Sequence, residues 1–253
     1  MIDIHSHVVW GLDDGASSVE DSLIMLRTAA EDGITDIVAT PHSNAQYRFQ
    51  PGLLHGRMEE LAAHSKGKPV IHHGCEFQVT SDNIGQLLDA PFTYTIDAGP
   101  YLLLEFSGFH IGKHTESILR QLLDAGIVPI VAHPERNPIL LRDLDRLASW
   151  IELGCLAQVT ALSITGGFGS PPRSAAFRLL DRGLVHVVAT DAHDPQHRPP
   201  VLSGAYNAIR ARFDDESADL LFTDNPHGII HGRPLPGGKL VVAGQPKKRW
   251  WPF

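Results

Sequence analysis

Runs of apolar, often β-branched residues punctuate the chain at positions 2–5, 36–40, 70–77, 102–106, 128–132, 156–160 and 185–190. Each has strand length, and none reaches the roughly ten residues that would favour a helix instead. Between them, apolar residues fall at three- and four-residue spacing over 19–31, 53–64, 118–125, 141–153 and 175–182, and again over 201–212 after the last run. That spacing predicts amphipathic helices. Ser18, three residues before Asp21, predicts a helix N-terminus, because a serine hydroxyl can accept an orphan backbone N–H. Gly33, Gly126, Gly154 and Gly183 each stand between a helical segment and a strand, where a left-handed cap suits glycine.

Strands that are apolar on both faces and alternate with helices imply a parallel sheet. Seven such units without a break in composition favour closure, so the expected fold is α/β, a distorted seven-stranded (β/α)7 barrel over residues 1–232. An open doubly wound sheet is the alternative, but a glycine-rich dinucleotide fingerprint is missing. Gly166, Gly167 and Gly169 lack the spacing of a phosphate-cradling motif and read as a loop after the sixth strand, either plain connection or a rim of the active site. Residues 233–253, with Lys247, Lys248, Arg249, Trp250 and Trp251, show no periodicity and are expected to form a peripheral or disordered tail. The paired tryptophans leave an oligomer or membrane-surface contact there as the other possibility.

A chain of 253 residues that is 43% hydrophobic can bury the core such a barrel needs. The formal charge is -8 and Lys/Arg clustering is confined to the last few residues, which argues against nucleic acid as a partner. No apolar run approaches the roughly 20 residues of a membrane span, and Met1 leads straight into a strand-like segment, so a cytoplasmic protein without a transmembrane segment is expected. Cys75 and Cys155 are too few for a disulfide framework and are expected as reduced core residues.

Polar residue types that bind metals recur where the strands end. His5 and His7 close the first run as His-x-His, a spacing that puts both imidazoles on one side of a strand. His42 follows the second run, Glu76 and Glu105 interrupt the third and fourth, His133 follows the fifth, and Asp191 and His193 follow the last. A carboxylate inside an apolar strand is costly to bury unless it is paired or metal-bound. Carboxyl ends of strands are also where barrel enzymes assemble their sites. Asp13 and Asp14 lie just before the first helix, and either is a candidate ligand. Imidazoles and carboxylates without thiolate suit manganese, iron or zinc in a polynuclear site. Such a site lowers the pKa of bound water and favours hydrolysis. Arg136 and Arg198 are the candidate catalytic cations, with guanidinium forks that match phosphate oxygens.

Met1-Ile2-Asp3-Ile4-His5-Ser6-His7, Asp13-Asp14-Gly15, His133-Pro134-Glu135-Arg136 and Asp191-Ala192-His193 together resemble the polymerase and histidinol phosphatase (PHP) superfamily. Within it, the chain is most similar to the CpsB/YwqE-type bacterial protein-tyrosine phosphatases of capsule and exopolysaccharide synthesis, from Met1 to about His231. The resemblance implies a distorted seven-stranded barrel with three divalent metal ions, usually manganese, with iron, zinc or magnesium as alternatives. It would place His5, His7, Glu76 and Asp191 on one metal, Glu76, Glu105 and His133 on a second, and Asp14, His42 and His193 on a third. Arg136 and Arg198 would contact phosphate. The implied substrate is a phosphotyrosine protein, the tail of a bacterial tyrosine autokinase.

A cysteine-dependent phosphatase needs an arginine six residues after its nucleophile, where this chain has Ser81 after Cys75 and Ala161 after Cys155. An amidohydrolase often carries a carbamylated lysine on the fourth strand, where Glu105 stands. Histidinol phosphatase or another small-molecule phosphoesterase remains a competitor, since metals and clamp would be alike. A non-enzymatic binding module on a decayed barrel would be expected to have lost ligands, and none is missing.

Overall fold

In the computed structural model, which describes residues 1–80 and 83–235, the predicted runs become nine strands. They are β1 (Ile2–Ser6), β2 (Asp36–Ala39), β3 (His42–Ser43), β4 (Val70–His73), β5 (Glu76–Gln78), β6 (Tyr101–Glu105), β7 (Val128–Ala132), β8 (Leu156–Thr160) and β9 (Val187–Ala189). The second run ends before Thr40-Pro41, with β3 an additional short strand beyond it, and the third breaks at Gly74-Cys75. Pro41 has no N–H for a ladder. Gly74 sits where a Cβ would come within 3.0 Å of Val38 Cγ1 and 3.2 Å of Thr40 Cγ2, so the two interrupted runs can lie close.

Every ladder is parallel, in the orders β1-β2-β4 and β3-β5-β6-β7-β8-β9. The two sheets meet where β1 touches the chain leaving β9: Asp191 N donates to His5 O and His7 N to Ala192 O, both at 2.8 Å. On the other side, Gly74 N bonds Ala39 O at 2.9 Å and Glu76 N bonds Pro41 O at 3.2 Å across the breaks. The architecture is α/β with parallel sheets.

The helices Val19–Glu31, Pro51–Ser65, Thr115–Asp124, Ser170–Asp181 and Ser203–Arg212 answer predicted segments. Ser18 caps the first by accepting from Asp21 N, and Gly33, Gly126, Gly154 and Gly183 all have positive φ. The predicted helix 141–153 is instead two helices, Pro138–Arg142 and Leu144–Glu152. Asp143 leaves helical geometry between them and its carboxylate accepts from Arg146 N, starting a new helix that apolar spacing alone does not reveal. Ala161–Thr165, Asp215–Asp219 and Asn225–Ile230 were not predicted. At five or six residues each, they are too short to show a period.

Strand alternation divides the core. On β6, Leu102 and Leu104 belong to the large cluster beneath the helices, with Met25, Phe77 and Trp150, while Leu103 faces an inner cluster with Ile4, Val38, Ile130 and Val187. Ile229 and Ile230 from the unpredicted Asn225–Ile230 helix pack into that inner cluster. Cys75 and Cys155 are free and buried, and burial pushes the Cys155 thiol up to about 12, so neither offers a thiolate. No helix among the described residues is long and apolar enough to cross a membrane. Of the predicted tail, Arg233 accepts a hydrogen bond from Tyr101 Oη through its carbonyl and donates its own N–H to Gly228 O. Positions 236–253, with the lysine, arginine and tryptophan cluster, lie outside the described residues.

Candidate metal centre

The carboxyl ends of the strands bring the nine predicted ligand residues into one neighbourhood. His5 lies on β1 and His7 just beyond it, so strand alternation points both rings inward, with their Nε2 atoms 3.3 Å apart. Glu76 opens β5 and is completely buried. Its Oε2 lies 3.0 Å from His42 Nδ1, 3.3 Å from His5 Nε2 and 3.4 Å from His7 Nε2, and its Oε1 lies 2.7 Å from His133 Nε2. Asp191 Oδ1 stands 3.3 Å from His5 Nε2. His133 and Asp191 both hold left-handed backbone, with φ of 33° and 52°. Non-glycine residues rarely adopt it, and it marks sites where strain is tolerated for position.

Among the described residues, three sets of ligand atoms are close enough to share a cation. His5, His7, Glu76 and Asp191 form the first, the set the resemblance implies. The second joins His42 to Glu76 and Glu105; His133, which the resemblance puts there, reaches the same carboxylate from its other oxygen. The third holds Asp14, His42 and His193, as implied, together with His7.

A supporting layer fixes these rings. Asp13 Oδ2 accepts from His7 Nδ1 at 2.6 Å and from His42 N at 2.9 Å. Asp13 therefore orients the His7 ring, while Asp14 carries the oxygen that faces His42 and His193, at 3.4 and 3.7 Å. Gln158 Oε1 accepts from His5 Nδ1 at 3.0 Å, which leaves Nε2 to face the cluster. Gln158 was missed in the sequence, although a buried amide interrupting the apolar run 156–160 is the same kind of signal that singled out Glu105. Asp3, also missed, accepts from Thr190 Oγ1, from Thr190 N at 3.0 Å and from His5 N at 3.3 Å, tying the two strand ends together.

Arg136 and Arg198 arrive together on the outer oxygen of Asp191. An Nη2 of each donates to Oδ2, that of Arg198 at 2.7 Å. The Nε–H of each is buried and has no partner.

The donor set fits divalent cations. Glu76 Oε2 and His42 Nδ1 are buried and approach to 3.0 Å, but without the geometry of a hydrogen bond, and neither atom has another hydrogen-bond partner. Burial opposes charge on His42, but Asp14 and Glu76 lift its pKa to about 11; His7, likewise opposed by burial, is raised to about 9 by Asp13. Burial and the adjacent Glu76 charge raise the Glu105 carboxyl. These shifts describe a pocket whose carboxylates attract positive charge in a desolvated place, the field that also binds a metal ion.

Fold and site together define a class: a parallel α/β protein that gathers imidazoles and carboxylates at the carboxyl ends of its strands. The chain belongs to the capsular polysaccharide synthesis family CpsB/CapC, which matches it over residues 1–231. Among its relatives, the tyrosine-protein phosphatase CpsB of Streptococcus pneumoniae is 33% identical over 241 residues, covering 91% of this chain and 98% of that protein. Tyrosine-protein phosphatase YwqE of Bacillus subtilis is 30% identical, covering 93% of each. A crystal structure from work on YwqE and CpsB, described as unique metal-dependent tyrosine phosphatases, superposes with a TM-score of 0.88 at 30% identity, over 98% of this chain and 100% of that one.

Proposed function

We propose that this chain is a metal-dependent protein-tyrosine phosphatase acting on a phosphorylated tyrosine kinase in bacterial polysaccharide synthesis. The observation that carries it is the pairing of Arg136 and Arg198 on one oxygen of Asp191 while the other oxygen sits among His5 and His7. A phosphate clamp thus adjoins a metal centre. The names of the relatives and the capsule-synthesis family support the substrate class.

The nine strands read as seven runs closed into a distorted barrel, with β2 and β3 as one run, β4 and β5 as another, and the Asp191–His5 bond as the closing seam. Residues 1–232 form this single catalytic domain. Three metal ions, manganese by preference, would be held by His5, His7, Glu76 and Asp191, by Glu76, Glu105 and His133, and by Asp14, His42 and His193. Bound there, the ions would supply a nucleophilic hydroxide and neutralise charge on the phosphoryl group. Asp13 and Gln158 keep His7 and His5 in the tautomer that presents Nε2. Arg136 and Arg198 grip non-bridging oxygens through in-plane N–H groups. The phenolate of tyrosine, with a pKa near 10, leaves more easily than an alkoxide and needs less help from a general acid. The protein would work in the cytoplasm.

The deciding experiment offers purified, manganese-loaded protein a phosphotyrosyl peptide and histidinol phosphate side by side. Hydrolysis of the peptide in preference is expected. Turnover of histidinol phosphate alone would replace this substrate reading with a small-molecule phosphoesterase.

A further inference from the structure

The glycine-rich loop that follows Ala161–Thr165 puts one aromatic ring against both arginines. Gly166 and Gly169 hold left-handed backbone, with φ of 91° and 87°. Gly167 N donates to Leu162 O at 2.8 Å and Gly169 N to Gly166 O at 2.9 Å, so the turn is tightly wound. At Gly167 a Cβ would meet Leu162 Cδ2 at 2.7 Å, so the turn lies close against the Leu162 side chain. Phe168 projects from it, half-buried. Its ring centroid lies 5.0 Å from Arg136 Cζ and 5.6 Å from Arg198 Cζ.

Two guanidinium groups on a single carboxylate oxygen repel one another, and cations bound on the opposite oxygen would repel both. A second carboxylate could hold the arginines, but it would occupy the N–H donors that phosphate needs and add a charge that repels the anion. An aromatic face does neither. The ring quadrupole attracts the cation, and because all five guanidinium donors lie in its plane, face contact consumes none of them. The buried, unpartnered Nε–H of each arginine is such an unconsumed donor.

We propose that Phe168 is a positioning residue for the phosphate clamp, holding Arg136 and Arg198 by their faces so that their in-plane donors stay free for phosphoryl oxygens. The inference rests on the reading of those arginines as a clamp, and it assigns a role to a loop whose sequence shows no phosphate motif.

The test measures affinity of the full, metal-loaded protein for inorganic phosphate by calorimetry, with melting temperature and metal content checked in parallel. Phe168→Leu removes the π face at similar volume and should weaken phosphate binding about 5- to 30-fold. Phe168→Tyr keeps the face and should stay within about threefold of the parent. With Arg136 and Arg198 both changed to Ala, Phe168→Leu should have less than about a twofold further effect, because the residue acts through them. Loss of kcat/KM in Phe168→Leu should be equal for aryl and alkyl phosphate monoesters. A Leu variant that binds like the parent, a Tyr variant as impaired as Leu, or a loss confined to aryl substrates would each overturn the positioning role. If affinities rank as expected while the parent leaves the phosphotyrosyl peptide intact, only the substrate reading falls.

Discussion

Asp191 serves two masters: one carboxylate oxygen faces His5 and His7, the other receives Arg136 and Arg198. Replacing it removes a candidate ligand and the anchor of the proposed phosphate clamp in one step, so Asp191→Ala is expected to abolish turnover. Near-normal rates in that variant would contradict the ligand scheme. Arg136 touches only the clamp side, and Arg136→Ala should therefore lower kcat/KM by roughly 2.7 to 4 kcal/mol, a hundredfold to a thousandfold, with bound metal unchanged. Metal analysis beside steady-state kinetics separates the two effects. At this scale much was legible in advance. His5 and His7 announce themselves because period-two geometry acts between near neighbours, and Glu76 and Glu105 because charge interrupts apolar runs. Gln158 and Asp3 could have been read by the same rule. Phe168 could not, since an aromatic residue in a glycine-rich loop has no meaning until arginines from two other segments lie against it.

Between β8 and the start of β9 the elements are joined through an imidazole. His186 N donates to Ala157 O, and His186 Nδ1 accepts from Ala157 N at 3.1 Å, a role open only to the neutral ring. Burial lowers its pKa to about 4. The unfolded chain takes up this proton near pH 6.5 and the folded chain only near 4. Stability from this group is thus complete above pH 6.5 and declines by at most about 3 kcal/mol as the pH falls to 4. His186→Asn keeps an acceptor but cannot titrate, so its melting temperature should fall less than the parent's between pH 7 and 4.5. Parallel curves would show that another group governs the acid limb. Among elements, long amphipathic helices and β-rich runs were visible from local periodicity. The break at Asp143 and the helices of five or six residues were not, because a single side-chain cap or a tertiary contact outweighs so short a pattern.

The molecule as a whole carries a largely buried cluster of imidazoles and carboxylates whose ligand atoms lie close enough together to hold cations. Ligands that bind the folded state alone stabilise it by mass action, about 4 kcal/mol at a thousandfold excess over Kd. Stripping the protein with a chelator should therefore lower its melting temperature by on the order of 10 °C, and manganese should restore it. An unchanged melting curve in protein shown to be metal-free would count against the centre. The chain by itself determined the alternation of strand and helix, the parallel sheets and the identities of the nine ligand candidates, because these follow from periodicity and polarity over a few neighbouring residues. Tertiary structure alone decided that the run 70–77 would split at Gly74-Cys75, that Asp13 would orient while Asp14 faced the cluster, and that Phe168 would lie near both arginines. Those outcomes depend on contacts between residues far apart in sequence, whose distances no local pattern encodes.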